Sequence, residues 1–325
     1  MQPDISILLA AENRAGILPV LLAALERQTL TPGRFEVVVA GRAGGDGTLG
    51  EAERFARGSP VRITCAECAA EGAAAAFNLA AKTARARVLL FLDTLLLPCP
   101  RLVERHLSVH VEASIPTCVF GGMTNHPELL PGALTPWLLP EERPQPVDGK
   151  MPPMVWRMQN LSMPKALYSE LGGLDETHLP CTAAMQLGLR SARLEVGTVF
   201  EPRAQALIWC ECPLSAERQR LYYEGRALRR LADSMKIPGL EAHYRLCPPW
   251  WVRIRDRLSV PHYVRAAENP LHRDPLLRFE RQRVLRSDRY SGFAHEAAGT
   301  PPPWPPGIPC SALPAVPGSP LQNAD

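Results

Sequence analysis

The first 93 residues alternate short apolar runs with segments of helical period, and this alternation limits the fold more than any other feature. Ile5 to Ala10 (ISILLA), Phe35 to Ala40 (FEVVVA), Val61 to Cys65 and Val88 to Leu92 have the length and apolarity of buried strands. Between them, Ile17 to Gln28 repeats Ile17, Leu18, Leu21, Leu22 and Leu25 at helical spacing. Thr48 to Arg57 reads as a second helix and the alanine-rich Gly72 to Ala84 as a third. Four strands and three helices in strict alternation predict a doubly wound α/β unit with a largely parallel sheet. Ligands of such sheets bind beyond the C-terminal strand ends. Asn13, Gly41 to Gly47, Glu67 and Asp93 all fall there, so the pocket is expected at that edge.

The middle of the chain is less regular. Pro131 to Pro153 is a proline-rich connection, and Asn160 to Gly173 predicts a strand and a short helix before a Gly-Gly turn and Asp175. Ala183 to Ala192 predicts a helix, Leu194 to Phe200 a strand, and Ala216 to Met235 a long helix. Ten arginines and five acids then lie between Trp251 and Tyr290. From Gly299 the chain runs through PPPWPPGIPC, a composition that buries too little surface to offset chain entropy and predicts disorder. The expected organisation is an α/β domain at 1–235, a helical basic appendage at 236–295 and a Pro-rich disordered tail at 296–325.

With 325 residues, 46% of them hydrophobic, the chain can bury a sizeable core. A formal charge of +3 gives no reason to expect nucleic acid as a partner. Asp4, Glu12 and Arg14 interrupt the start, and no apolar run reaches the roughly 20 residues of a bilayer crossing. A cytoplasmic protein is expected. Its nine scattered cysteines read as reduced thiols, although a zinc site joining Cys65-x-x-Cys68 to Cys210-x-Cys212 is a possible alternative, disfavoured by the tight second spacing.

The order of these pieces resembles glycosyltransferase family 2, the nucleotide-diphospho-sugar transferases of GT-A fold. Ser6 to Arg14 with the helix to Thr29 resembles the family opening, and Phe35 to Thr48 its second strand and glycine-rich acidic loop. Gly72 with Ala76-Phe77-Asn78-Leu79, and Val88 to Pro100, resemble the helix and acidic strand that follow. Ser162 to Glu176, ending in LGGLDE, resembles the acceptor-side segment, and Leu187-Gly188-Leu189-Arg190 the helix after the family's Glu-Asp pair. Glu224-Gly225-Arg226 resembles a helix found after the domain's last strand. The implied fold is a GT-A, Rossmann-like, mostly parallel sheet flanked by helices, with a helical arginine-rich appendage. The implied donor is a nucleotide-diphospho-sugar, bound by Asn13, Arg14, Arg42, Asn78 and Asp93.

Departures from the family coincide with its chemistry. Ala40 and Gly41 stand at a strand end that carries an acid in the family, and Leu95 replaces the metal-binding acid two residues past Asp93. Ala183 and Ala184 replace the Glu-Asp pair that supplies the general base, Phe77 a frequent arginine, and Trp209 and Cys210 lie where a histidine often stands. A positioned base is worth about 10²–10⁴ in rate, roughly 3–5 kcal/mol. The resemblance therefore implies a degenerate member with weak or lost sugar transfer in polysaccharide or glycoconjugate synthesis. No resident metal is expected, since Mn²⁺ or Mg²⁺ would have to be held by Asp93 alone. Two alternatives remain: an active metal-independent transferase, and an interaction module with an empty pocket. In the active alternative Arg42 or Lys82 supplies phosphate charge, and Asp93, Asp175 or Glu176 does the acid–base work. Asp46 is read as a helix cap. Residues 250–290, with Trp250, Trp251 and Tyr263, could rest on a membrane surface, and an active paralogue is the other possible partner.

Overall fold

The apolar runs form strands in the expected order. The computed structural model describes residues 2–42, 47–70, 72–129, 135, 146, 150–268 and 278–303. Strands β1 (Ile5–Ala10), β2 (Phe35–Gly41), β3 (Arg62–Glu67) and β4 (Val88–Leu92) are parallel neighbours, with Ile5 opposite both Phe35 and Val88. Helices α1 (Leu18–Glu26), α2 (Thr48–Ala56) and α3 (Ala73–Thr83) connect them. The sheet continues through β5 (Leu96–Pro98), β6 (Thr117–Asn125), β7 (Asn160–Pro164) and β8 (Gly197–Ile208), in the order β3-β2-β1-β4-β7-β6-β8-β5. β7 runs against both β4 and β6, and β5 against β8, so the sheet is mixed but mostly parallel.

Three further helices belong to this sheet: α4 (Leu102–Glu112), α5 (Lys165–Glu170) and α6 (Pro180–Ser191). On one face, Phe91 packs edge-on to Phe77 of α3 and tilted against Tyr168 of α5, while Phe120 meets Trp156. Phe77, at the family's arginine position, is thus a core residue. On α4, His106 and His110 meet the antiparallel strand in a buried polar ladder. Asn160 Nδ2 donates to the carbonyls of Gly122 and Ala204, so Asn160 Oδ1 faces His106 Nε2 at 2.9 Å as acceptor. Ser162 Oγ then donates to His106 Nδ1 at 2.8 Å and accepts from His110 Nε2 at 2.7 Å. Every partner is satisfied with both rings neutral, and burial pulls each imidazole down to about 4.

The described residues divide into two units, 2–126 with 146 and 150–209 in the first, and 127–129, 135, 210–268 and 278–303 in the second. The second holds α7 (Leu214–Ser234), α8 (Leu240–Tyr244), α9 (Trp250–Glu268) and α10 (Arg278–Ala297). The long helix read into segment 1–235 therefore lies in the second unit, against α10. There the backbones meet at two glycines: a Cβ on Gly225 would overlap the Arg289 carbonyl, and one on Gly292 the Tyr222 carbonyl. Arg218 pairs with Asp288 at 2.8 Å and Arg230 with Glu296 at 2.6 Å across the same seam. Residues 296–303 close α10 and its C-terminal turn, while the rest of the expected tail lies outside the described residues.

Candidate functional site

Because β1, β2 and β4 are parallel neighbours, their C-terminal ends lie side by side. Beyond β1 the backbone turns at Asn13, whose φ of 55° is a left-handed conformation that asparagine tolerates. This turn sends Arg14 across to the end of β4. Its Nε donates to Thr94 Oγ1 at 3.0 Å and its Nη1 to the Asn13 carbonyl at 3.1 Å. Its backbone N–H donates to Thr48 Oγ1, at the start of α2, at 2.8 Å. A guanidinium is thus fixed at the strand ends, where the N-terminus of α2 adds positive potential.

Arg42 is exposed at the end of β2. Just before it, Gly41 approaches the Ala11 carbonyl so closely that any Cβ would overlap it, and Ala40 is fully buried. This backbone has no room for a side chain at position 41. Asp46 lies outside the described residues.

Asp93 closes the turn between β4 and β5: its Oδ1 accepts the Leu95 N–H at 2.9 Å and its carbonyl the Leu96 N–H at 3.1 Å. A divalent ion requires several oxygen ligands. Among the described residues it would meet at this place the Asp93 carboxylate, already holding a backbone N–H, an apolar Leu95, and a guanidinium bonded to Thr94. These residues do not fit the ion that the family resemblance implies. Among the described residues no three His, Cys, Asp or Glu side chains form a group able to hold a metal. The cysteine pairs of the zinc alternative also fall in different units, and burial pushes the Cys65 thiol up to about 11.

On the acceptor side, α6 precedes β8, which runs parallel to β6, so α6 begins at the strand-end edge. Ala183 and Ala184 in its first turns are fully buried in the apolar core. Asn78, expected to touch the donor, instead holds the segment before α6. Its Nδ2 donates to the Leu174 carbonyl and to Glu176, and its Oδ1 accepts from Tyr168 at 2.6 Å and from the Leu174 N–H at 3.0 Å. Glu176 is tied to this amide at 2.8 Å. Asp175 accepts both the N–H and the hydroxyl of Thr177, which hold its carboxyl below the ordinary range and make it a weak base.

The structure adds a residue that the sequence reading passed over. His178 Nδ1 lies 3.2 Å from Asp175 Oδ2, and its Nε2 lies 3.1 Å from Gln186 Nε2, two residues past Ala184. With Nδ1–H donating to Asp175, Nε2 is an imidazole acceptor set at the start of α6. The Asp175-x-x-His178 spacing after the Gly-Gly turn was its only sequence signal. Lys82 lies at the wrong edge for a phosphate role, because α3 ends where β4 begins; its carbonyl accepts from Lys165 Nζ there.

Comparison with known proteins bears on the fold that carries this edge. The sequence model described as Glycosyl transferase family 2 matches residues 6–114. Validoxylamine A glucosyltransferases from Streptomyces hygroscopicus subsp. limoneus and subsp. jinggangensis are each 29% identical over 202 residues, 54% of this chain. Those residues cover 44% and 47% of the relatives, so the match spans less than half of their length. The mannosyltransferase PcManGT from Pyrobaculum calidifontis, solved with GDP-Man and Mn²⁺, superposes with a TM-score of 0.59 at 15% identity over 92% of this chain and 87% of that one. Residues 1–349 of S. aureus TarS give 0.53 at 13% identity, covering 91% and 92% of the two chains. At such identities the likeness shows the fold alone, and that fold is GT-A. Residues 6–114, which carry the sheet edge with Arg14 and Asp93, are thus similar to glycosyl transferase family 2.

Proposed function

We propose that the protein binds a nucleotide-diphospho-sugar at the ends of β1, β2 and β4 without a divalent ion, and that sugar transfer there is weak or lost. Arg14 carries this reading. It is a fixed guanidinium at the strand ends, and it replaces as an anion partner the ion that Leu95 cannot help hold. PcManGT and TarS have been solved with GDP-Man and with UDP, which supports a nucleotide diphosphate as the ligand of this edge. Ala183 and Ala184 themselves supply no carboxylate for an acceptor hydroxyl in the first turns of α6. Such a protein would work in polysaccharide or glycoconjugate synthesis, beside a partner that performs the transfer.

One observation favours a second reading, an active metal-independent transferase: the His178–Asp175 pair could deprotonate an acceptor hydroxyl through Nε2. Titration calorimetry with UDP- and GDP-sugars, in EDTA and in Mn²⁺, tests the first proposal. Equal affinity in both, lost in Arg14→Ala, supports it; affinity that requires Mn²⁺ sinks it. Turnover abolished by His178→Asn while binding persists would establish the second reading.

A further inference from the structure

Helix α9 presents an apolar ridge to solvent. Trp250, Trp251, Ile254 and Leu258 are 71%, 55%, 52% and 76% exposed. At the helical period they fall on one side with Pro261. The other side is satisfied within the unit. Val260 is buried, and the buried Asp256 accepts from Arg283 Nε of α10 at 2.7 Å while Arg283 lies over the Tyr263 ring. The ridge is therefore not the face that holds α9 in the unit.

Charge is sorted across the same helix. Asp256 is the single acid between Trp250 and Arg265, and it points inward. Arg253, Arg255, Arg257 and Arg265 are exposed, and Arg255 lies 5.9 Å over the Trp251 ring. An outward face of tryptophans and aliphatic side chains, bordered only by cations, complements a surface that is apolar beneath and negative on top. We propose that α9 lies on an anionic lipid surface, with Trp250, Trp251, Ile254 and Leu258 in the headgroup–acyl boundary and the arginines on lipid phosphates. This inference concerns the second unit and does not depend on the sugar-binding reading.

The test is co-sedimentation of the full chain with vesicles of phosphatidylcholine alone or of phosphatidylcholine mixed with phosphatidylglycerol. The parent binds the mixed vesicles, binds neutral ones far more weakly, and is released by salt. Each arginine near such a surface is worth roughly fivefold in partition, so Arg253→Glu/Arg257→Glu lowers binding at least about tenfold. Trp250→Ser/Trp251→Ser lowers it by a similar factor. All four side chains are exposed, so melting temperature and circular dichroism stay at parental values, and Val111→Ser, at an exposed site in the first unit, leaves binding unchanged. The proposal is overturned by a folded parent that ignores the mixed vesicles, or by variants that bind as the parent does. It is equally overturned if the parent shows no vesicle binding and is a dimer that the tryptophan variants convert to monomer, since the ridge would then join two copies of the chain.

Discussion

All four hydrogen-bonding positions of the Asn78 amide are used by the protein, three of them by groups at Tyr168 and Leu174. Replacing it with alanine leaves the Leu174 N–H and carbonyl without their partner, at a cost of about 2–4 kcal/mol in urea unfolding. Asn78→Asp keeps the acceptor but sets a carboxylate against Glu176, and should recover only part of the loss. Equal stability of parent and Asn78→Ala would remove this role. The residue was legible as important but not as structural, since its partners lie about a hundred positions further along and no local spacing reveals them. Gly41 shows the same limit. Its missing acid was visible in the sequence, whereas the Ala11 carbonyl that forbids any side chain there was not. Asp93 was placed correctly at the end of β4, yet what its carboxylate holds, the Leu95 N–H, follows from a turn that the run of leucines concealed.

At the scale of elements, β1 to β4 and their helices were legible because an apolar strand and an alanine- or leucine-rich helix carry strong periodicities. β6 was not, because Gly121 and Gly122 interrupt it; a side chain at either would meet the Asn160 amide or the Pro202 carbonyl. Nor was the His106–Ser162–His110 ladder, which joins α4 to β7. Both imidazoles are held near 4 in the fold and return to about 6.5 on unfolding, so their stabilisation is complete above 6.5 and lost as pH falls toward 4. Between pH 7 and 4.5 each should remove about 2 kcal/mol from unfolding free energy. Asp288, lifted to about 6 by burial, works in the opposite direction over that range, so the readout is the difference between parent and variant. His110→Gln keeps a donor for Ser162 and should lose about half of the acid sensitivity; identical pH slopes would contradict the ladder. In the second unit, Gly225→Ala or Gly292→Ala must push α7 from α10, and overpacking of this kind costs about 1–3 kcal/mol, visible as a lowered thermal midpoint.

For the whole molecule, the question is whether a strand-end edge with leucine at position 95 and alanine at position 184 can be given acids there. The two positions differ in their surroundings. Leu95 is half-buried in a turn whose N–H already faces Asp93, so Leu95→Asp would place a second carboxylate next to the first and close to solvent. Two carboxylates close together bind a divalent ion far better than one. This variant should acquire Mn²⁺-dependent nucleotide-sugar binding in calorimetry, whereas the parent titrates alike with Mn²⁺ and with EDTA. Ala184→Asp should fail. Position 184 is fully buried among Ala183, Leu187 and the aromatic core, where an unpaired carboxylate costs several kcal/mol and protonates rather than acting as a base. The combination Leu95→Asp/Ala184→Asp should therefore bind the ion and the donor, melt well below the parent, and transfer no more sugar than Leu95→Asp alone. Brisk transfer by the double variant would mean that the first turns of α6 can open to admit water and an acceptor, and that the apolar packing at Ala183 and Ala184 does not exclude a base there.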